Sequence, residues 1–197
     1  MSVLQEVLAK PENLKHIKSL QIHSEDLWPH SYRVAAMMEE IYPHMLSNEL
    51  SMEDAITGAL FHDIGKIFVP EEILDKKGKL TQEELKEIRK HPLDGALLLA
   101  ERSLEIRNMA LLHHEKADGS GYPYGYPEDF LPLYCRVLTV LDVYDAISTK
   151  RVYKEPCHNI EEVISMLRDI PIVTKADPLD KAIELIRNGI IVIPNGI

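Results

Sequence analysis

The residues best suited to chemistry are histidines and aspartates that recur through the middle of the chain. Seven of them form the candidate set: His30, His62, Asp63, His91, His113, His114 and Asp142. Imidazole and carboxylate ligands in this mixture suit two or more Fe, Mn or Zn ions. Two adjacent pairs among them stand at the end of apolar helical stretches, where solvated surface histidines are uncommon. The pattern predicts a hydrolase with a polynuclear metal site.

Two motifs surround these residues. The first reads Leu-Phe-His-Asp-Ile-Gly-Lys over 60–66, and the second reads His-His-Glu-Lys-Ala-Asp-Gly-Ser-Gly-Tyr-Pro over 113–123. Together they resemble the HD-GYP family, a branch of the HD-domain phosphohydrolases whose members cleave cyclic di-GMP. The resemblance runs from about His30 to Lys154. Two long matches in the expected order are far more specific than a lone His-Asp pair.

The resemblance implies that two metal ions share Asp63. One ion would have three further ligands, His30, His62 and Asp142. The other would have three histidines, His91, His113 and His114. Neighbouring helical residues point about 100° apart, so His62 and Asp63 can face one centre only near a helix end or around a bridging pair of ions. Any one of these histidines alone is better explained as a hydrogen-bonded core or surface residue.

Two such ions would supply the chemistry of hydrolysis. At about 3.5–4 Å apart they can share a hydroxide, lower the pKa of its parent water and bind the oxygens of an in-line phosphoryl displacement. Water then replaces a protein nucleophile. With Asp63, we expect Lys66 to be catalytic, because its ammonium lies one helical turn later and could reach a phosphate oxygen. The resemblance points to the same lysine, whereas the simpler explanation is a helix C-terminal lysine favoured by the dipole.

A third metal ion is a further possibility. Asp26 precedes His30 by four positions, so the two side chains share a face if the helix extends that far back. Members of the family with three metals commonly have glutamate at this place, and this chain has the shorter aspartate. A charge that favours the start of a helix explains Asp26 equally well.

Three residues are expected to contact the substrate. Tyr122 can stack on a nucleotide or bond to it, and the family resemblance favours this role. Arg151 and Lys154 fall in a stretch that resembles the family's Arg-x-Tyr segment, and both suit phosphate or guanine recognition. Solvated charge at a helix end is the alternative for this pair.

Other charged residues are expected to support the ligands. Asp145 shares a helix face with Asp142, and Arg33 lies one turn after His30, so we expect an ion pair between Asp145 and Arg33. Glu115 and Asp118 belong to the second motif and are expected to accept hydrogen bonds from ligand imidazoles. Four other histidines match nothing: His16, His23, His44 and His158.

The elements that must position these residues are helices. Period-two alternation is scarce, so the sequence predicts an all-α fold, a compact HD-type helical bundle of about seven to nine helices around a buried polynuclear metal site. Ser51, Thr81, Asn159 and Asp177 are expected helix starts, with Gly65 and Gly189 as stops. His91-Pro92 is expected to divide two helices, and Pro29 leaves the start of the His30 helix uncertain.

Length and composition favour one domain. The 197 residues, 45% of them apolar, suit a single HD-GYP-like domain over 1–197, with a motif-bearing core over about 24–155 and divergent C-terminal helices over about 159–190. The start at Met1 without a receiver-like region suggests a stand-alone chain. No apolar run suits a membrane span or signal peptide, so a cytoplasmic protein with reduced cysteines is expected.

The net charge of −10 argues against DNA or RNA partners, because phosphate backbones are bound mainly by clustered Lys and Arg. A phosphate substrate must therefore be attracted locally, and bound cations would do this. The same cations would offset the repulsion between Asp63 and Asp142. Metal binding is therefore expected to stabilise the fold.

Together these features predict a metal-dependent phosphodiesterase with two divalent ions, or three, with Fe or Mn expected. It would hydrolyse cyclic di-GMP to pGpG, with GMP as a further product; the choice of nucleotide rests on the family resemblance. One alternative is a phosphohydrolase for another cyclic dinucleotide or nucleotide. Another is a non-catalytic module that binds a nucleotide or a signalling protein through the loop over 118–127, named here the Gly-Tyr-Pro loop after residues 121–123. The sequence leaves the oligomeric state open, a homodimer included.

Overall fold

The computed structural model describes residues 1–149, 157, 159–169 and 176–194, without the side chains of 176–179. All regular structure in these residues is helical apart from one isolated bridge between Asp118 and Pro127, so the all-α prediction is confirmed. The α-helices are α1 Val3–Ala9, α2 Pro11–His23, α3 Leu27–Met45, α4 Met52–Phe61, α5 Glu71–Leu74, α6 Gln82–Ile88, α7 His91–Leu98, α8 Leu104–Leu112, α9 Leu133–Ser148, α10 Ile160–Asp169 and α11 Ala176–Arg187. Two short 3₁₀ helices cover Ile64–Phe68 and Glu128–Phe130.

The described residues thus contain more helices than the expected seven to nine. The difference comes from short helices such as α5, which has four residues. A single helical turn leaves little apolar periodicity to detect in the sequence.

Helices α3, α4, α8 and α9 form the centre of the core. Helix α3 packs against α4 and α9, while α8 packs against α4, α7 and α9. Large apolar side chains fill the space between these helices and are fully buried, among them Met37, Met38, Phe61, Met109 and Leu138. Their burial is the main favourable contribution to folding and gives the polar residues in their midst a rigid frame.

Side-chain caps begin several helices where the sequence predicts. The Ser51 hydroxyl accepts a hydrogen bond from the Asp54 amide, and Thr81 forms a capping box with Glu84. Asn159 accepts hydrogen bonds from the first amides of α10. These three predicted starts are confirmed, and each cap satisfies an amide that lacks a partner inside its helix. The start predicted at Asp177 is wrong by a short distance, since α11 begins at Ala176.

Glycine and proline mark three further helix boundaries. Gly189 follows α11 with φ +67°, as expected of a helix stop. His91 begins α7 and Pro92 lies in its first turn, so the predicted division between α6 and α7 is confirmed. Helix α3 begins at Leu27, so Pro29 lies in its first turn.

Gly65 is not a helix stop, and this prediction is wrong. Helix α4 has already ended at Phe61, and Gly65 lies inside the following 3₁₀ helix. A Cβ atom at this position would lie 2.0 Å from the His91 carbonyl oxygen and 2.5 Å from the Gly95 nitrogen. Glycine is needed here because the 3₁₀ helix and α7 pack backbone against backbone.

Two further observations concern the chain as a whole. Cys135 and Cys157 are both free thiols, as expected. Among the helices of the described residues, none combines the length and apolar character needed to cross a membrane.

Candidate metal centre

Five elements bring the candidate ligands together. His30 comes from α3 and Asp142 from α9. The others lie at helix ends: His62 and Asp63 follow α4, His91 begins α7, and His113 and His114 follow α8. Adjacent residues diverge within a helix but can converge where the helix ends, and here two adjacent pairs lie at such ends.

The first group surrounds one oxygen of Asp63. Asp63 Oδ2 lies 3.5 Å from the Nε2 atoms of both His30 and His62. These two Nε2 atoms are 3.2 Å apart. Asp142 Oδ1 lies 3.2 Å from His30 Nε2 and 4.0 Å from His62 Nε2. Four residues therefore direct potential ligand atoms at one small volume.

The second group surrounds the other oxygen of Asp63. Asp63 Oδ1 lies 3.2 Å from His91 Nε2 and 3.5 Å from His113 Nε2. His114 completes this group, in which the potential ligand atoms all lie within 4.8 Å of one another. One carboxylate thus separates two sets of imidazoles, with an oxygen directed at each.

Backbone carbonyls fix which nitrogen of each imidazole faces the centre. The Nδ1–H groups of His62, His91 and His113 donate to the carbonyl oxygens of Ala59, Ile88 and Ala110 at 2.7, 2.7 and 2.9 Å. A carbonyl oxygen only accepts, so each Nδ1 must carry the hydrogen. In the neutral ring, the Nε2 lone pair is then free to bind a cation.

This arrangement fits bound cations and is unfavourable without them. His91 Nε2 and His113 Nε2 are 3.2 Å apart, and both rings donate through Nδ1, so two lone pairs oppose each other. Asp63 Oδ1 is buried and accepts no hydrogen bond from the described residues. A buried acceptor without a partner costs roughly 1–3 kcal/mol. A metal ion on each side of Asp63 would satisfy these atoms.

The pKa values keep the donors in their metal-binding forms. Burial lowers the pKa of His62 to about 3 and also lowers the pKa values of His91 and His114. Burial alone would raise the pKa of Asp63, but Lys66 and the surrounding imidazoles hold it well below its usual value. The imidazoles of His62, His91 and His114 are therefore neutral and the Asp63 carboxylate is charged at pH 7.

An ion pair between Arg33 and Asp145 contacts His30 through the Nδ1 atom of its ring. The His30 Nδ1–H donates to Asp145 Oδ2 at 2.7 Å, and Arg33 Nε donates to Asp145 Oδ1 at 2.6 Å. The predicted ion pair between Arg33 and Asp145 is thus confirmed. Burial would raise the pKa of Asp145, but His30 and Arg33 lower it to about 2. Asp145 therefore fixes the His30 ring as a carboxylate.

Lys66 and Asp26 lie at the edge of this centre. Lys66 Nζ donates to Asp63 Oδ2 at 2.5 Å and also lines the adjoining cavity. Asp26 lines the same cavity, next to His30, but belongs to neither group of close potential ligands. The third-metal role of Asp26 stays a prediction.

A cavity of about 680 Å³ opens over the centre. Its floor includes His30 and Asp63, and Tyr122 forms part of its wall. The opposite wall comes mostly from the segment 73–89, which contributes aliphatic side chains and three cationic residues, Lys76, Lys79 and Arg89. Arg89 was missed in the sequence, although it stands only two positions before His91.

Tyr122 connects the cavity with the second group. Its ring stacks on that of His114, with 4.7 Å between ring centres, and the Arg89 guanidinium lies 5.3 Å above the Tyr122 ring. Gly121 makes this position attainable, because a Cβ there would lie 2.5 Å from the backbone of Glu115. The structure thus places Tyr122 beside the candidate metal ligands, and its substrate role stays a prediction.

The predicted roles of Glu115 and Asp118 are wrong. Buried Glu115 accepts hydrogen bonds from the backbone amides of Tyr124, Gly125 and Tyr126 at 2.7–3.1 Å. Asp118 accepts from the Ser120 amide at 2.9 Å. Both carboxylates therefore shape the Gly-Tyr-Pro loop. The nearby imidazole of His113 does not need either carboxylate, because it donates to a backbone carbonyl oxygen. Arg151, Lys154 and His158 lie outside the described residues.

Comparison with known proteins places this geometry in a family. The model of the HD domain family matches residues 16–169, which include every candidate ligand. The chain belongs to the HD domain family. It is 36% identical to a cyclic di-GMP phosphodiesterase of Pseudomonas aeruginosa over 81% of its own length and 39% of that relative. It is also 38% identical to the 3′3′-cGAMP-specific phosphodiesterase 3 of Vibrio cholerae, over 64% and 28% of the two chains.

A solved structure shows that the fold is shared. An HDG"Y"P protein from Bdellovibrio bacteriovorus aligns with a TM-score of 0.65 and 15% identity, over 94% of this chain and 61% of that one. The family predicted from the two motifs is confirmed by the HD domain match and by the curated relatives. The chain spans less than half the length of either curated relative.

Proposed function

We propose that this HD domain is a metal-dependent phosphodiesterase that hydrolyses a cyclic dinucleotide, with cyclic di-GMP as the first candidate. The observation that carries the proposal is the position of Asp63, whose two oxygens face two separate groups of imidazoles at the floor of a cavity. Two-metal sites of this kind serve hydrolysis of phosphate esters. The curated relatives named above, one for cyclic di-GMP and one for 3′3′-cGAMP, support the substrate class.

The cavity has the chemical character that a dinucleotide needs. Its lining includes His30 and Asp63, which would bind metal, and the bound metal would attract phosphate. The lining also includes aliphatic side chains suited to the faces of nucleobases: Leu27, Ile73, Leu74, Leu80, Leu85 and Ile88. Lys66 and Arg89 add positive charge to a chain whose net charge is −10.

Different residues would have different roles in the reaction. Asp63 would hold two ions together with six further residues, which are His30, His62, Asp142, His91, His113 and His114. When bound, the ions would activate water and polarise the phosphate. Water adds to phosphorus, the bond to the ribose 3′ oxygen breaks, and that oxygen takes up a proton. The Lys66 ammonium, which lies in the cavity beside Asp63, is proposed to stabilise the departing oxygen. The linear product from cyclic di-GMP is pGpG.

The alternatives differ in substrate or in activity. The 38% identity to a 3′3′-cGAMP-specific enzyme keeps that dinucleotide as a second candidate substrate. A non-catalytic binding module would have no need for the complete ligand set and Lys66, so the geometry favours an enzyme. We also propose Fe or Mn as the metal. A third ion at Asp26 and a cytoplasmic location stay predictions. The same holds for a signalling partner at the Gly-Tyr-Pro loop and for a homodimer.

Metal analysis and a substrate panel test the proposal together. Protein purified without oxygen is analysed for metal and then assayed with cyclic di-GMP, 3′3′-cGAMP and cyclic di-AMP. We expect two or more ions per chain and preferred turnover of cyclic di-GMP. Replacing His62 and Asp63 by alanine should remove both metal and turnover. Turnover retained in that double variant would refute the mechanism, and preference for 3′3′-cGAMP would select the second substrate.

A further inference from the structure

The guanidinium of Arg89 occupies an unusual place in the cavity. Arg89 follows α6 directly, lines the cavity and is exposed to solvent. Its Cζ atom lies 5.3 Å from the centre of the Tyr122 ring. The Tyr122 ring in turn stacks on His114. A single aromatic ring therefore connects Arg89 with the second group of metal-binding imidazoles.

Two of the other three cations that line the cavity among the described residues, Lys66 and Lys76, already have carboxylate partners. Lys66 donates to Asp63, and Lys76 donates to both oxygens of Glu84 at 2.7–2.8 Å. In the part of the chain that the structure describes, the Arg89 guanidinium has no carboxylate partner and contacts a ring. An arginine held on an aromatic face keeps its N–H groups available for an incoming anion.

A cyclic dinucleotide needs such a cation. It carries two phosphodiester groups, each with one negative charge, and only one of them can be cleaved at the metal centre at a time. The second phosphate must then lie elsewhere in the cavity, within an acidic chain of net charge −10. Desolvating this charge without a partner would weaken binding strongly.

We infer that Arg89 binds the phosphate of the substrate that is not being cleaved. The planar guanidinium suits two-point contact with a phosphate, and Tyr122 restricts its rotation before the substrate arrives. Arg89 would thus select substrates with two phosphates over those with one. This inference rests on the proposed function and assigns a substrate-binding role to a residue outside both motifs.

Steady-state kinetics of Arg89→Gln test this role. With cyclic di-GMP as substrate, KM should rise roughly ten-fold to a hundred-fold, the range expected when a charge-assisted hydrogen bond worth about 1.5–3 kcal/mol is lost. The rise should be several-fold smaller for bis(p-nitrophenyl) phosphate, which has one phosphate. Arg89→Lys, which keeps the charge but loses the planar fork, should fall between the wild type and Arg89→Gln.

Lys90→Gln is the matched control. Lys90 is the next residue, is exposed, pairs with Glu87 and does not line the cavity, so its loss removes the same charge from the same segment. Its KM should stay within two-fold of the wild type. Metal content, measured for every variant, shows that the centre is intact.

The outcomes separate the two proposals. If the wild type turns over cyclic di-GMP and Arg89→Gln shows the same KM as Lys90→Gln, the role of Arg89 is refuted and the proposed function stands. Equal increases of KM for both substrates would also refute selection by the second phosphate. If the metal-loaded wild type cleaves bis(p-nitrophenyl) phosphate but no cyclic dinucleotide, both proposals fail.

Discussion

At the scale of residues, Asp63 decides what the centre can bind. Its carboxylate is buried between two imidazole groups, and the two oxygens have different neighbours, 3.2–3.5 Å away on each side. A carboxylate with one oxygen directed at each group can bridge two cations. An amide of the same shape has one oxygen and one NH₂ group, so it cannot bind a cation on both sides.

Asp63→Asn should therefore remove at least one ion and most activity. We expect turnover of cyclic di-GMP to fall by roughly two orders of magnitude or more, because the ions held beside Asp63 would activate the attacking water. Elemental analysis and kinetics measure both effects. Asp180→Asn is the control, since Asp180 pairs with Arg168 on the helices after the motif region. An Asp63→Asn protein that keeps two ions and normal turnover would contradict the bridge.

Asp145 should act on the metals only through His30. Asp145→Asn leaves the Arg33 guanidinium without its carboxylate and weakens the hydrogen bond that orients the His30 ring. Loss of such an orienting partner commonly costs about 10–100-fold in metal affinity. Competition with a chelator measures the affinity, and Asp145→Glu should restore part of it. Unchanged affinity in Asp145→Asn would show that the pair serves packing alone.

At the scale of elements, the centre depends on close packing between the 3₁₀ helix Ile64–Phe68 and α7. The motif around His62 and Asp63 predicts their role, and the proline after His91 predicts the helix boundary. The contact at Gly65 could not be predicted, because the atoms that exclude a side chain belong to α7, far along the sequence. Helix stops and close contacts both select glycine, so composition alone does not distinguish them.

Gly65→Ala should displace α7 and with it His91. The added Cβ would lie 2.0 Å from the His91 carbonyl oxygen, a backbone atom that cannot rotate away. We expect a loss of stability of about 1–3 kcal/mol and weaker binding at the second metal site. Denaturant unfolding and metal titration measure these effects. Leu97→Ala on the exposed side of α7 is the control, and equal behaviour of the two variants would contradict the packing argument.

In the Gly-Tyr-Pro loop, as at Gly65, the sequence does not reveal the contacts that form only in the folded chain. Its motif identifies Tyr122, and the structure places that ring beside His114. The sequence offers no way to see that Glu115 holds the loop through three backbone amides, since a carboxylate beside two histidines also suits an orienting role. Arg89 was missed for the converse reason: its contact with Tyr122 exists only in the folded chain.

At the scale of the whole molecule, metal should contribute to stability. The chain carries a net charge of −10 and buries the Asp63 carboxylate among imidazoles, so bound cations would offset negative charge in the core. A ligand present at about 100 times its Kd stabilises a fold by about 2.7 kcal/mol. For a chain of this size, that energy corresponds to roughly 5–10 °C in Tm.

Chelation should lower the Tm of the loaded protein by about this amount. Differential scanning calorimetry before and after removal of metal measures the shift. The variant with alanine at His62 and Asp63 is the control, because it should already lack metal and show no response. A wild-type Tm that is indifferent to chelation would contradict the stabilising role.

Anomalous X-ray scattering from metal-loaded crystals tests the central claim most directly, because it locates the ions without reference to activity. The account predicts two strong peaks, one on each side of Asp63. The first should lie among His30, His62 and Asp142, and the second among the three histidines His91, His113 and His114. Crystals soaked at high metal concentration that show no peak beside Asp63, or peaks only at surface carboxylates, would contradict the account.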